Sequence, residues 1–316
     1  MTPTRIIIDT DPGIDDALAF LLALASPEIK LEALTTTQGN VTIEKATRNA
    51  LSVLELANAS HIPVVPGSVL PLVQPLRASD AVHGESGIGN SQLPEPHTKP
   101  ISQHAMDYLI ERVLAEPNEI TIFPIGPLTN IAMAIRKEPG FAKAVKELVI
   151  MGGALREGGN VTPLAEFNIF VDPHAAHIVF HSGIPITLIP LDVTNKCLLK
   201  QEHLDRLLNS RSPISRFIRE AVGVYLKSSL QLGYQGSALH DPLTLATIIA
   251  PELLTLSEYY VDVDISGGVS MGKTFADFYN IMKKPANMKV ALDVRGEDFI
   301  ELFLQRMETL SQSFPS

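Results

Sequence analysis

After Arg5, the apolar run Ile6-Ile7-Ile8 breaks into Asp9-Thr10-Asp11-Pro12-Gly13-Ile14-Asp15-Asp16-Ala17, the stretch that most constrains fold and chemistry. Ile6–Ile8 reads as a short buried strand, and Pro12-Gly13 as a turn. Asp16–Ala25, rich in Ala and Leu, predicts a buried helix closed by Ser26-Pro27. Four carboxylates therefore fall within eight residues at a strand-to-helix junction. In open α/β sheets, ligands bind at the carboxyl ends of strands. Packing this much negative charge there is unfavourable unless something cationic neutralises it. The neutraliser suited to oxygen ligands is a hard divalent cation. Aspartate at a helix N-terminus also caps backbone N–H groups and suits the helix dipole. Capping accounts for Asp15 or Asp16, but not for Asp9 and Asp11 as well.

The pattern continues along the chain. Leu31–Thr36 predicts a second strand, followed by Gly39-Asn40 and a helix from about Ile43 to Ala57. Ile62–Val65, Ile120–Ile125, Leu148–Met151 and Pro185–Pro190 predict further strands. Helices are expected from Thr129 to near Lys137, over Pro173–Ser182, and near Asp298–Leu310. Such alternation implies an α/β fold with a mostly parallel open sheet, a Rossmann-like core flanked by helices. No repeat, low-complexity tract or linker divides the 316 residues, so 1–316 reads as a single domain. A long loop rich in Gly, Pro, Ser and His runs from about Pro66 to Pro100, and such loops are often functional lids.

Composition narrows the function. The net charge is −10 and no basic run is present, which argues against a nucleic-acid partner. The single cysteine, Cys197, excludes an internal disulfide framework and fits a reducing compartment. Neither a signal-peptide core nor an apolar run long enough to span a bilayer is visible, so the expected location is cytoplasmic, away from membranes.

Polar residues gather at other strand ends too. Asn40 follows the second strand. Ile125 closes the Ile120–Ile125 strand, where its carbonyl can face a metal. Asn160, Glu166 and Asn168 follow Met151-Gly152-Gly153, and His240-Asp241 precede an apolar helix, Pro242–Ile249. Singly each has a plain explanation: a turn asparagine, solvated loop residues, a capping aspartate beside a packed histidine. Their shared position at strand ends is the stronger fact.

In this order, these pieces resemble the inosine–uridine-preferring nucleoside hydrolase family, the N-ribohydrolases. The resemblance rests on Asp9–Ala17, Gly39-Asn40-Val41, Val82-His83-Gly84-Glu85, Gly126-Pro127-Leu128-Thr129-Asn130, Met151-Gly152-Gly153, Ala165-Glu166-Phe167-Asn168, Asp192-Val193-Thr194-Asn195 and His240-Asp241-Pro242. Thr37–Ala50 and Lys284-Pro285-Ala286-Asn287 look most like the bacterial broad-specificity branch. The resemblance implies hydrolysis of the N-glycosidic bond of ribonucleosides to ribose and free base, with a tightly held Ca²⁺. Asp11, Asp16 and Asp241 would ligate it by carboxylate and Ile125 by its carbonyl. Asp11 would also be the general base, and His240 the acid for the leaving base. Asp15, Asn40, Asn160, Glu166 and Asn168 would hold the ribose. His83, Tyr225, Gln231 and Tyr234 are candidate base or lid contacts, although a tyrosine at helical spacing also packs. Family resemblance further implies a homodimer or homotetramer acting on a small-molecule ribonucleoside.

Two alternatives belong to other classes. Asp9-Thr10-Asp11 after a strand also fits the nucleophile and acid pair of a haloacid-dehalogenase-like phosphohydrolase. That reading lacks a later lysine motif and leaves Asp15-Asp16 unused. A nucleoside-binding protein without catalysis would have lost Asp11 or His240, and both are present.

Overall fold

The computed structural model describes residues 2–76, 86–89, 91, 93–207, 212–231 and 233–314. Its strands are β1 (Thr4–Thr10), β2 (Ile29–Thr36), β3 (Val64–Pro66), β4 (Ile120–Pro124), β5 (Glu147–Met151), β6 (Ile186–Ile189), β7 (Leu198–Leu199), β8 (Ser237–Ala238), β9 (Leu254–Tyr259), β10 (Val261–Val263), β11 (Thr274–Ala276) and β12 (Met288–Val294). The longer helices are α1 (Ile14–Leu24), α2 (Ile43–Leu56), α3 (Ala105–Ala115), α4 (Thr129–Lys137), α5 (Pro173–Phe180), α6 (Pro213–Gln231) and α7 (Gly296–Gln312).

Eight strands form one sheet in the order β3-β2-β1-β4-β5-β6-β12-β9. All neighbours are parallel except β12 and β9, which pair antiparallel. The chain order reverses between β1 and β4, and a crevice opens at the carboxyl ends of strands where such a reversal occurs. Asp9 and Asp11 leave β1, and Ile125 leaves β4, at that point.

The apolar runs are continuous because both faces of the sheet are covered. Ile6 and Ile8 enter one core with Leu18, Leu21, Phe217, Phe299 and Phe303, from α1, α6 and α7. Ile7 points the other way, among Leu109, Ile131, Val179 and Phe180 from α3, α4 and α5. Between Ile6 and Ile7 the pairing of β1 with β2 slips: Ile6 lies beside Leu31, but Ile7 lies beside Ala33. Glu32 is the extra residue of a bulge.

Most expected elements form within a residue or two of their predicted ends. Three details differ. Helix α3 is an addition: its buried Ala105, Leu109 and Val113 recur every four residues behind a His104 cap whose Nδ1 accepts the Met106 N–H at 3.1 Å. Strand β4 stops at Pro124, so Ile125 lies just beyond it. His240 and Asp241 open the helix His240–Thr244 rather than precede it, and Leu245 separates this helix from Ala246–Ile249. The described parts of 67–100 hold no helix or strand, and His83 lies outside the described residues. Among the described residues, no helix is long and apolar enough to cross a membrane.

Candidate active site

The end of β1 carries two carboxylates with different surroundings. Asp9 is fully buried. Its Oδ1 accepts the Thr35 hydroxyl from β2 at 2.5 Å and the Asn130 amide from α4 at 2.8 Å. Its Oδ2 has no partner. Burial pushes its carboxyl up to about 7 against the pull of those two donors. Asp9 therefore ties three elements together behind the crevice. Neither was singled out as a site residue from the sequence: Thr35 is a polar residue at a strand end, and Asn130 closes the Gly126–Asn130 motif.

Two residues on, the Asp11 Oδ2 accepts the Asn40 backbone N–H at 2.6 Å, while Oδ1 is buried and unpartnered. Gly39 and Gly126 enclose this carboxylate. A Cβ on Gly39 would lie 2.0 Å from Asp11 Oδ2, and one on Gly126 would lie 2.5 Å from Oδ1. These glycines follow β2 and β4, and are glycine because a side chain would occupy the carboxylate's own space. Burial first, and then the charges of Asp16 and Asp15, push the Asp11 carboxyl well above its usual range, and the Asn40 N–H only partly offsets this.

Helix α1 supplies the next pair. Asp16 accepts from the Thr10 hydroxyl, from Gly13 N–H at 2.8 Å, and from the Asn40 amide at 3.4 Å. The Gly13 bond is a helix cap, so Asp16 performs that ordinary role too. Asp15 and Asp16 diverge by about 100° around a helix. They nonetheless converge with Asp241: one oxygen of each lies within 4.8 Å of the others. The helix His240–Thr244 packs on α1 and brings Asp241 there. Burial and the neighbouring Asp16 raise Asp15 to about 8. Burial with the charges of Asp15, Asp16 and Asp11 raises Asp241 well above its usual range. The groups that shift these acids are other carboxylates, hydroxyls and amides, not a lysine or arginine.

The opposite wall comes from the segment after β5. Asn168 donates its amide to the Ile125 carbonyl at 2.9 Å and to the Met151 carbonyl at 3.3 Å. A carbonyl has two lone pairs, so this bond leaves Ile125 a further acceptor site. Glu166 is buried and caps the short helix Phe167–Val171, accepting from Asn168, Ile169 and Gly153 N–H groups. Asn160 is exposed, and its Oδ1 braces Phe167 N–H at 2.9 Å. Lys273 pins the intervening loop by donating to the Ala154 carbonyl at 2.6 Å.

His240 Nδ1 lies 2.8 Å from the Thr194 hydroxyl, and burial lowers its pKa to about 4. The imidazole is therefore neutral at pH 7, unlike the near-neutral titration that an unperturbed histidine offers. Tyr225 on α6 is buried, and after burial itself the charges of Asp15, Asp241 and Asp16 raise its phenol. It therefore faces the acid cluster. Tyr234 is half exposed. Gln231, at the end of α6, lines a separate surface cavity with Gln201, Lys227 and Leu230. Of the base and lid candidates, Tyr225 alone is brought to the aspartates among the described residues. Cys197 is buried, its thiol pushed up to about 12 by burial, and so is not a nucleophile.

Oxygen atoms dominate this crevice: three converging carboxylates, the Asp11 Oδ1 lacking a partner, and a backbone carbonyl. That donor set fits a hard divalent cation and does not fit a soft one. Comparisons with known proteins agree with the architecture. Residues 6–301 match the model of the family described as inosine-uridine preferring nucleoside hydrolase. The chain is 40% identical over 305 residues to the pyrimidine-specific ribonucleoside hydrolase RihA of Photobacterium profundum, covering 96% of this chain and 98% of that one. Its structure resembles a purine-preferring ribonucleoside hydrolase from Gardnerella vaginalis, with TM-score 0.92, 34% identity, and coverage of 98% and 100%. It also resembles the plant nucleoside hydrolase PpNRh1, with TM-score 0.92, 39% identity, and coverage of 96% and 99%. With a family match over nearly its whole length and relatives this similar end to end, the chain belongs to the inosine-uridine preferring nucleoside hydrolase family.

Proposed function

We propose that this enzyme hydrolyses the N-glycosidic bond of purine or pyrimidine ribonucleosides, releasing ribose and free base, with Ca²⁺ held by Asp11, Asp16, Asp241 and the Ile125 carbonyl. The observation that carries this reading is the acid floor itself. Asp11, Asp15, Asp16 and Asp241 are buried together, with one Asp11 oxygen unpartnered. When bound, a divalent cation supplies Lewis-acid chemistry, neutralising the carboxylates and acidifying the attacking water.

The chain's own residues do the rest. Asp11, steadied by Asn40 N–H, takes the proton from water as general base. Bond cleavage passes through an oxocarbenium-like state with positive charge on the sugar, which a floor of carboxylates stabilises. Asp15, Asn40 and Asn168 orient the ribose hydroxyls, and Asn160 and Glu166 shape the segment that holds its 5′ end. Rigid holding converts binding energy into orientation. His240 is oriented through Nδ1 by Thr194, leaving Nε2 to serve the departing base. Its low pKa keeps the imidazole neutral, so that it offers the departing base a hydrogen bond. Tyr225 stands beside the same acids as the candidate base contact. The lone cysteine supports a reducing, cytoplasmic setting.

The phosphohydrolase alternative is set aside by the family match. A catalytically silent binding protein is disfavoured because Asp11 and His240 are both present. The deciding experiment is incubation with uridine, cytidine, inosine and 2′-deoxyuridine, with reducing sugar measured in the absence of phosphate. Release from a ribonucleoside, with 2′-deoxyuridine poorer by as much as ~10⁴-fold, supports the scheme. Strict phosphate dependence, or equal kcat/KM for uridine and its 2′-deoxy analogue, refutes it.

A further inference from the structure

On the opposite face of the sheet from α1, helix α5 ends in a second constellation that the nucleoside chemistry does not use. His177 stands in its last turn and His181 follows four residues later, so both rings lie on one side of the helix. Asp262 on β10 meets them. Its Oδ1 is 3.1 Å from His177 Nδ1 and 3.1 Å from His181 Nε2. Helix α5 leads into β6, so this end of α5 lies at the amino ends of the strands, away from the aspartate floor. Eight residues of helix, about 12 Å, separate it from Asp172, whose carboxylate accepts the Thr129 hydroxyl on the active-site side.

We infer that His177, His181 and Asp262 form an open, three-ligand site for a divalent transition ion of the zinc class. One ring nitrogen of each histidine and one oxygen of Asp262 lie within 4.8 Å of one another. Zinc binds imidazole nitrogen and carboxylate oxygen at about 2.0–2.2 Å, which puts tetrahedral ligand atoms about 3.4 Å apart. The observed 3.1 Å separations already approach that spacing. The carboxylate is also held from behind. Tyr260 donates its hydroxyl to Asp262 Oδ2 at 2.8 Å, and Lys284 contacts Tyr260 in turn. Supporting bonds of this kind orient metal ligands. A cation here also complements the C-terminal end of the α5 dipole.

The fourth position is open. His177 and Asp262 line a cavity of about 540 Å³ with Asp264, Ser266, Ser270 and Lys273. Three protein ligands with an open position are the arrangement of an exchangeable zinc site rather than a closed structural one. The mixed nitrogen and oxygen donors distinguish it from the all-oxygen floor, so the two sites select different cations. Bound metal ties α5 to the β10–β11 ribbon.

The test is calorimetric titration of the full chain, saturated with Ca²⁺, with ZnCl₂ alone. Wild type should bind one Zn²⁺ per chain, and His177→Ala, His181→Ala and Asp262→Asn should each weaken binding at least tenfold. Nucleoside hydrolysis measured without zinc should be unchanged in all three. Histidine-ring ¹⁵N spectra of the wild type give a reading that does not depend on variants folding. Zinc-induced shifts at His177 and His181 together support the site. Absence of binding, binding unaltered by the variants, or shifts confined to other histidines overturns it.

Discussion

The two ends of β1 hold acids in opposite circumstances. At its start, Arg5 pairs with Glu32 at 2.6 Å and with Glu116, while Arg112 reaches Glu32 at 2.8 Å and Lys30 reaches it at 3.3 Å. Burial alone would push the Glu32 carboxyl up, but Arg5 and Arg112 outweigh it and hold it at about 2. At the far end of the same strand, Asp11 and its neighbours are more deeply buried and have only each other and neutral donors, and their carboxyls rise. The difference lies in what the chain supplies as counter-charge. One end is complete as folded; the other is built to be completed by something from solution.

The sharpest way to break this contrast is to remove Asp11. Asp11→Ala should lower kcat by ~10²–10⁴-fold, the range for loss of a general base, with the circular dichroism spectrum retained. Near-normal turnover would end the scheme. Next in size is the effect of chelation. If Ca²⁺ completes the floor, a chelator should abolish turnover and lower Tm relative to protein at 100-fold Kd of Ca²⁺, a difference of about 2.7 kcal/mol by mass action. Glu32→Gln should leave that chelator-induced shift intact, since its own partners are internal. A Tm indifferent to chelator would show that the two ends are alike after all.

Gly126→Ala sharpens the comparison from the packing side. A methyl group at 126 meets Asp11 Oδ1, so the carboxylate must move, at about 1–3 kcal/mol for overpacking. Ca²⁺ affinity and kcat should fall together, and a calcium titration of the variant measures both. The smallest effect concerns pH. The folded pKa of Glu32 lies below its unfolded value, so its contribution to stability is present above about pH 4.5 and fades as pH falls towards 2. The Tm gap between wild type and Glu32→Gln should be widest near neutrality and close across that window. A gap independent of pH would refute the ion-pair account.

Local chemistry decided what could be read in advance. The β1–α1 junction was legible because strand period, turn and acid cluster coincide within a few residues, and the mostly parallel sheet follows from alternation. The counter-face was less so. Asn160 and Glu166 were expected at the ribose, yet in the fold their visible work is to accept backbone N–H groups around Phe167–Val171, a local bond that no residue pattern distinguishes from ligand binding. Helix α3 carried its signal in a four-residue apolar spacing easily lost after a long stretch of sequence rich in Gly, Pro and Ser. Thr35, Asn130 and Thr194 escaped because each acts through a partner at least 26 residues away. The neutral His240 escaped because burial, which depresses its pKa, is a property of the assembled fold.

The bulge at Glu32 has a consequence for how this chain tolerates insertions and deletions. If β1 and β2 continued in the phase set by Ile6 beside Leu31, Ile7 would face Glu32 and Asp9 would lie beside Leu34. The one-residue slip instead sets Asp9 beside Thr35, and places the pleat so that Thr35, Gly39 and Asn40 arrive where the aspartates need them. Side-chain direction in a strand is binary, so a single-residue change of length inverts it. Deleting Glu32 would unpair Arg5 but leave Leu31 and Ala33 consecutive beside Ile6 and Ile7, with the later pairs kept. A residue removed beyond the bulge, between Ala33 and Thr36, has no such slack: it would reverse the parity of the strand leading to the crevice.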